Sequence, residues 1–203
     1  MTVLSIRMIG DPVLRTPATT VAATGAGAAV DRSTAELIAD MFETMDAVAG
    51  IGLAAPQIGV SRRIFTFDVA GERGAVINPE LSLLGERSFT AREPEQGPAE
   101  GENLLREGCL SVADIYAPVV RAQRVLLTGS DPDGSPVRRE ATGLLAACFQ
   151  HEVDHLDGRL FVDRLTGEDK VAAARALRSR EYGQAIDQTL GSRKTSHSSF
   201  FAS

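Results

Sequence analysis

Apolar residues first recur at helical spacing between Ser33 and Gly50. There Leu37, Ile38, Met41, Met45 and Val48 form one stripe of an amphipathic helix. Ser33 and Glu36 fit a capping box at its start, and Gly50 stands where a glycine C-cap belongs. Upstream, Asp11-Pro12 and Pro17 predict turns, and the small, Gly-rich Val21–Ala29 predicts a loop. Downstream, Gly50–Gly59 (GIGLAAPQIG) carries too many Gly and Pro for a regular element and reads as a loop with close backbone approach. Arg63–Val69 alternates as a strand. Ala75–Asn78 reads as a short strand ending in an Asn-Pro turn, and Leu81–Leu84 as a further strand. Glu86–Arg106 has two Pro, two Gly and mostly acidic charges, and predicts an exposed excursion, the tip of a long hairpin. Val119–Thr128 and Val137–Ala141 read as strands joined by the turn Asp131-Pro132-Asp133-Gly134. Thr142–Leu156 is a second helix closed by Gly158, and Gly167–Tyr182 a third with exposed charges. From Gly191 the chain is Ser-rich and polar. The expected organisation is one catalytic domain over 1–190 and a disordered tail over 191–203.

Composition narrows the class without naming a function. At 203 residues, with 43% hydrophobic and 24% charged residues, the chain suits one soluble domain with a real core. The net charge of −6, the absence of Trp and an aromatic content of 5% argue against a general phosphate-binding or base-stacking surface, so no sequence-specific nucleic-acid partner is expected. The N-terminus lacks a basic start followed by a long apolar run, and Val21–Val30 is broken by Gly25 and Gly27. The expectation is a cytoplasmic protein with no membrane partner. In that compartment its two cysteines, Cys109 and Cys148, are not expected to form a disulfide.

The chemistry concentrates in His151-Glu152-Val153-Asp154-His155, an H-E-x-x-H pattern. Four residues span just over one helical turn, so both imidazoles face one side and can hold one ion. Glu152 is placed to reach the water that such an ion polarises. A bound metal lowers the pKa of water from about 15.7 to about 7, and a neighbouring carboxylate takes the proton. The bland alternative is a pair of surface histidines. Against it, the chain has only three His, and the preceding Leu144–Phe149 is apolar and expected to be buried. His197, in the polar tail, is assigned no role. A catalytic metal usually takes three protein ligands and keeps one position open. The third could be an Asp, a Glu or a Cys from elsewhere. Cys109, flanked by Gly108, is preferred over Cys148, which sits one turn before His151 and reads as packing.

Three segments in order now become specific: Gly50–Gln57 (GIGLAAPQ), Glu107–Ser111 (EGCLS) and Gln150–Leu156 (QHEVDHL). With Gly-Asp-Pro-Val-Leu-Arg at 10–15 and Leu-Phe-x-Asp-Arg-Leu at 160–165, they resemble the peptide deformylase family over about residues 4–180. The resemblance implies removal of the N-formyl group from formyl-methionine at the start of new proteins, with formate released. It implies one divalent ion on Cys109, His151 and His155, natively Fe(II), with Zn(II), Ni(II) or Co(II) as substitutes that a thiolate site also suits. Glu152 would be general base and then acid, and the Gln57 side-chain amide and Leu110 N–H would be donors to the oxyanion. Gly52 would contact substrate through its backbone, and Ile51, Leu144 and Cys148 would line the pocket for the first side chain. Glu107 and Arg121 would pair and support the Cys109 segment, and Asp154 is either part of that support or a surface residue.

The expected fold is α+β: antiparallel strands packed around a central helix carrying H-E-x-x-H, plus a C-terminal helix. That helix carries Lys170, Arg175, Arg178 and Arg180; in some relatives the C-terminal helix docks on the ribosome, and here these charges equally suit a solvated face. Two departures stand out. Ala113-Asp114 replaces the Pro-Gly that often follows Cys-Leu-Ser-Val, and the 86–106 excursion is long. The rival functions are a zinc endopeptidase and a deformylase-like binding protein. The Cys ligand argues against the first. Retention of Gln57, Cys109, Glu152 and both His argues against the second.

Overall fold

A computed structural model describes residues 2–22, 27–84, 106–183 and 201–202. The first long element, α1 (Arg32–Ala47), buries Ile38, Met41 and Met45, the stripe expected from its periodicity. Its ends differ from expectation. Asp31 is the N-cap, accepting from the Thr34 N–H at 2.9 Å and from the Ser33 hydroxyl at 2.6 Å. A carboxylate is the stronger acceptor, so Ser33 falls inside the first turn. At the other end Ala49 (φ 49), not Gly50, takes the left-handed conformation, and the Gly50 N–H closes onto the Met45 carbonyl at 2.9 Å.

A five-stranded antiparallel sheet follows, ordered β1-β2-β3-β6-β7, from β1 (Gly52–Ala54), β2 (Ile64–Val69), β3 (Glu72–Leu84), β6 (Arg124–Ser130) and β7 (Pro136–Thr142). The GIGLAAPQIG segment is thus more regular than its composition suggests. It holds β1 and then a 3-10 turn, Ala55–Ile58, closed by Gly59 in the left-handed region (φ 84). The two short strands expected around Asn78-Pro79 are one 13-residue strand with a register shift between Ile77 and Glu80. Asn78 absorbs it with a positive φ of 49, which Asn tolerates, and its side-chain amide pairs with both backbone groups of Val21 at 2.8 and 2.9 Å. The expected 119–128 strand starts only at Arg124. The hairpin turn at 131–134 is present, with Gly134 at φ 83 and the Gly134 N–H on the Asp131 carbonyl.

The second helix, α2 (Gly143–Leu156), lies on this sheet. Leu145, Ala146, Phe149, Val153 and Leu156 join Phe65, Phe67 and Leu127 in one core, with Phe149 edge-on to Phe67 at 5.1 Å. Almost the whole helix is buried, so its polar residues sit among neighbours rather than in solvent. A hairpin that the periodicity did not show, β4 (Arg106–Cys109) and β5 (Val112–Pro118), covers the other side and shares an apolar cluster with Leu160, Phe161 and Val162. A short strand, β8 (Phe201–Ala202), pairs with β4. The remainder of the expected tail, and the 86–106 excursion up to β4, lie outside the described residues. The third helix, α3 (Gly167–Leu177), is shorter than expected. It stops at Arg178, and Ser179 caps the next turn, its hydroxyl accepting from the Tyr182 N–H at 3.2 Å. Among the described residues, no helix is long and apolar enough to cross a membrane.

Candidate metal centre

His151 and His155 project from one face of α2 with ring centroids 4.9 Å apart, as their spacing requires. Cys109 ends β4 at a two-residue turn, Leu110–Ser111, that returns the chain into β5. The turn carries its sulfur to α2, with Sγ 3.2 Å from His155 Nε2. The three donor atoms lie within 4.8 Å of one another, and all three residues are buried. Phe161 stacks on the His151 ring, with centroids 6.4 Å apart.

A layer of charge supports the donors. Glu107, also on β4, faces His151 Nδ1 at 3.0 Å with Oε2. Arg121 clamps both Glu107 oxygens, from Nε at 2.7 Å and from Nη2 at 2.9 Å, and reaches Asp154 at 2.6 Å with Nη1. All three are almost fully buried, so Arg121 and Asp154 are not solvated surface charges. Burial would raise the Glu107 carboxyl, but the Arg121 guanidinium and the His151 contact outweigh it and hold Glu107 at about 2. Glu107 therefore stays ionised and fixes the ring tautomer that leaves Nε2 for a cation. His155 is pushed well below the usual histidine range, chiefly by its burial, which favours the neutral form that binds metals.

The structure brings the other expected residues to the same place. Gln57 is fully buried. Its Oε1 accepts from the Ala54 N–H at 2.8 Å, which turns Nε2 toward Cys109 Sγ, 3.7 Å away, and Ser111 Oγ, 3.4 Å away. Leu110 is buried in the turn next to Cys109. Glu152 is buried, and its Oε2 has no hydrogen-bond partner among the described residues. Burial pushes this carboxyl up, His151 pulls it back, and the balance is about 7. Gly52 plays a part beyond a backbone contact. A Cβ there would overlap Glu152 Oε1 and sit 3.1 Å from Cys148 Sγ, so the absent side chain is what lets Glu152 occupy its position.

Cys148 is separate from the donor group. Its thiol points to the Ile51 carbonyl at 3.6 Å, and burial, then the Glu152 charge, pushes its pKa well up, so it remains a thiol. Ile51 and Leu144 are partly buried against the same core as Cys148, which groups the three expected pocket residues. Asp114, in the place of the usual glycine, takes a left-handed conformation (φ 52) that Asp tolerates. Two contributors escaped the sequence reading. Ser111 donates its N–H to Cys109 Sγ at 3.4 Å, and Gln150 ties α2 to both backbone groups of Ala122 at 2.9 Å. Both stand inside the quoted motifs, but nothing in their spacing tells a hydrogen-bonding role from a flank.

These residues fit a divalent cation. One thiol and two imidazoles converge in a buried space, and the buried Glu152 next to His151 in the chain has a carboxylate oxygen without a partner among the described residues, an arrangement that costs free energy unless a cation joins it.

The sequence model for polypeptide deformylase matches residues 3–171. A peptide deformylase of Acidothermus cellulolyticus is 44% identical over 187 residues, covering 92% of each chain. Another, from Mycobacterium sp. strain JLS, is 45% identical over 190 residues, covering 90% of this chain and 91% of the relative. The crystal structure of a peptide deformylase from Legionella pneumophila superposes with a TM-score of 0.73 at 39% identity, covering 91% of this chain and 98% of the other. That from Synechococcus elongatus, in complex with actinonin, gives 0.72 at 34% identity, covering 91% and 88%. On a match that spans most of the chain and on relatives more than 40% identical, the chain belongs to the peptide deformylase family.

Proposed function

We propose that this chain hydrolyses the formamide bond of N-formylmethionyl peptides, releasing formate and a free α-amine. The observation that carries the reading is the buried Cys109–His151–His155 donor group, with the Gln57 amide turned to Cys109 and the buried Glu152 next to His151 on the helix. Cys109, His151 and His155 would hold the ion. Fe(II) is the proposed native ion, with Zn(II), Ni(II) or Co(II) as substitutes that suit one thiolate and two imidazoles. When bound, such an ion supplies Lewis-acid polarisation of water and carbonyl.

The residues of the chain do the rest. Glu152, whose burial raises its carboxyl above the usual carboxylate range, can accept a proton from the attacking water and return it to the leaving amine. Gln57 Nε2 and the Leu110 N–H are the proposed donors to the oxyanion of the tetrahedral intermediate. Gln57 needs no reorganisation, because Ala54 already fixes its amide. Ile51, Leu144 and Cys148 would receive the first substrate side chain, and Gly52 would offer its backbone. Glu107 and Arg121 would hold the His151 ring and the Cys109 strand in place. The same reading places the chain in the cytoplasm, where nascent chains emerge. The exposed Arg175 and Lys170 of α3 are proposed to contact the ribosome.

The test is formate release from formyl-Met-Ala-Ser on protein purified without oxygen, with metal measured on the same sample. Wild type should turn over, and Glu152→Ala should keep its ion and lose activity. A wild type with one ion per chain and no turnover would sink the assignment.

A further inference from the structure

Asp154 lies inside the H-E-x-x-H segment, between the two histidines, and is almost fully buried. Its charge is shared by two guanidiniums. Arg121 Nη1 reaches Oδ2 at 2.6 Å. Arg164 reaches the same oxygen from Nε at 3.0 Å and bonds Oδ1 with Nη2. Arg164 follows the 3-10 turn Phe161–Asp163, and its side chain is 38% exposed. It lines an open cavity of about 530 Å³ together with Arg121 and Asp154, and none of Cys109, His151 or His155 lines that cavity. Arg164 thus faces that cavity, which the donor group does not line.

The contacts nevertheless form one line: Arg164 to Asp154, Asp154 to Arg121, Arg121 to Glu107, Glu107 to His151 Nδ1. Four elements meet in it: the 3-10 turn, α2, the β5–β6 connection and β4. Two carboxylates and two guanidiniums balance in charge. Without Arg164, Arg121 would be the one guanidinium among the described residues paired with both buried carboxylates and would be drawn toward Asp154. Its two-point grip on Glu107 would then slacken, and the Glu107 contact that orients His151 would loosen with it.

We propose that Arg164 is a positioning residue for the deformylase reaction. By forking onto Asp154 it leaves Arg121 free to hold Glu107, and so fixes the His151 ring from outside the site. The inference rests on the functional reading above and on the same donor group. Three of the links are ion pairs and the last is a hydrogen bond to the ring, and exchange of one outer-shell partner typically costs 10- to 100-fold in metal affinity or activity.

The test uses Co(II)-loaded full-length protein, whose visible absorption reports ligand geometry independently of turnover. Arg164→Ala is expected to retain one Co(II) per chain, to shift the ligand-field and thiolate bands, and to lower kcat about 10-fold with little change in KM. Arg164→Lys keeps the charge but not the fork and should fall between. Arg15→Ala breaks an ion pair with Asp163 on the same segment but outside the line, and should keep the wild-type spectrum and kcat. Should Arg164→Ala not fold, Arg164→Lys decides alone. Wild-type spectra and kcat in the Arg164 variants, or an equal shift in Arg15→Ala, would overturn the inference. A wild type that binds Co(II) but releases no formate would instead count against the functional reading.

Discussion

Gly52→Ala is the most searching single substitution in this site. The backbone there is ordinary strand, since Gly52 is not among the positive-φ glycines, so alanine meets no conformational penalty. What it meets first is Glu152, and then, at 3.1 Å, Cys148 Sγ. The new Cβ would stand 2.8 Å from Glu152 Cδ, whereas carbon atoms rest at about 3.5–4.0 Å. The carboxylate must therefore retreat by about 1 Å. Glu152 is the end of a flexible side chain, so the cost in stability should lie near the lower bound of overpacking, about 1 kcal/mol. The cost in catalysis is far larger, because a displacement of about 1 Å in a reacting group loses about 10²-fold. The donor set is untouched, so one ion per chain should remain. The assay is kcat/KM for formyl-Met-Ala-Ser on metal-loaded protein, beside a urea titration. In a Glu152→Ala background the same change should do little further, since the displaced group is already gone. A kcat/KM within about twofold of wild type, or a loss that simply adds to that of Glu152→Ala, would refute the reasoning.

Cys109→Ser should abolish stoichiometric metal, while Cys148→Ala should retain one ion per chain; elemental analysis separates them, and the reverse result would exchange their roles. Arg121→Ala leaves the Glu107 and Asp154 charges buried without their shared partner, so unfolding free energy should fall by about 3–5 kcal/mol, and metal content with it; unchanged denaturation midpoint and metal would dismiss the pairing. The helix cap at Asp31 makes a pH prediction. Its carboxyl is lowered from 3.8 to about 2, first by the Ser33 hydroxyl and then by the Thr34 N–H. A lowered folded pKa means the contribution is complete above the unfolded value and fades as pH falls through the folded one. The Tm gap between wild type and Asp31→Ala should thus be steady near neutrality and close between about pH 4 and about pH 2. A gap that ignores acid would show that charge is not what caps α1.

Local periodicity and turn chemistry were legible in this chain because their information lies within a few residues. The α1 stripe, the 131–134 hairpin turn, the α2 helix and the facing of His151 and His155 all follow from spacing alone. The EGCLS, GIGLAAPQ and QHEVDHL segments marked the site because together they resemble the motifs of the peptide deformylase family. What lay beyond reach depends on long-range contact, which leaves no period in the sequence. The β4–β5 hairpin hides because Gly108 and the Leu110–Ser111 turn break its alternation. The two strands expected around Asn78 are one strand, because a bulge with a left-handed Asn looks the same in sequence as a turn. The reading already preferred Cys109 to Cys148 from its neighbours; the fold supports that preference by setting its sulfur 3.2 Å from His155, across 46 residues of chain, and turning Cys148 to Ile51. Gly52 matters through an empty volume beside Glu152 that only packing reveals. The sequence alone therefore determined which donors are available and how the helix presents two of them. The tertiary structure decided which third donor meets them and which buried charges hold them, because those contacts exist only once strands far apart in the chain are brought together.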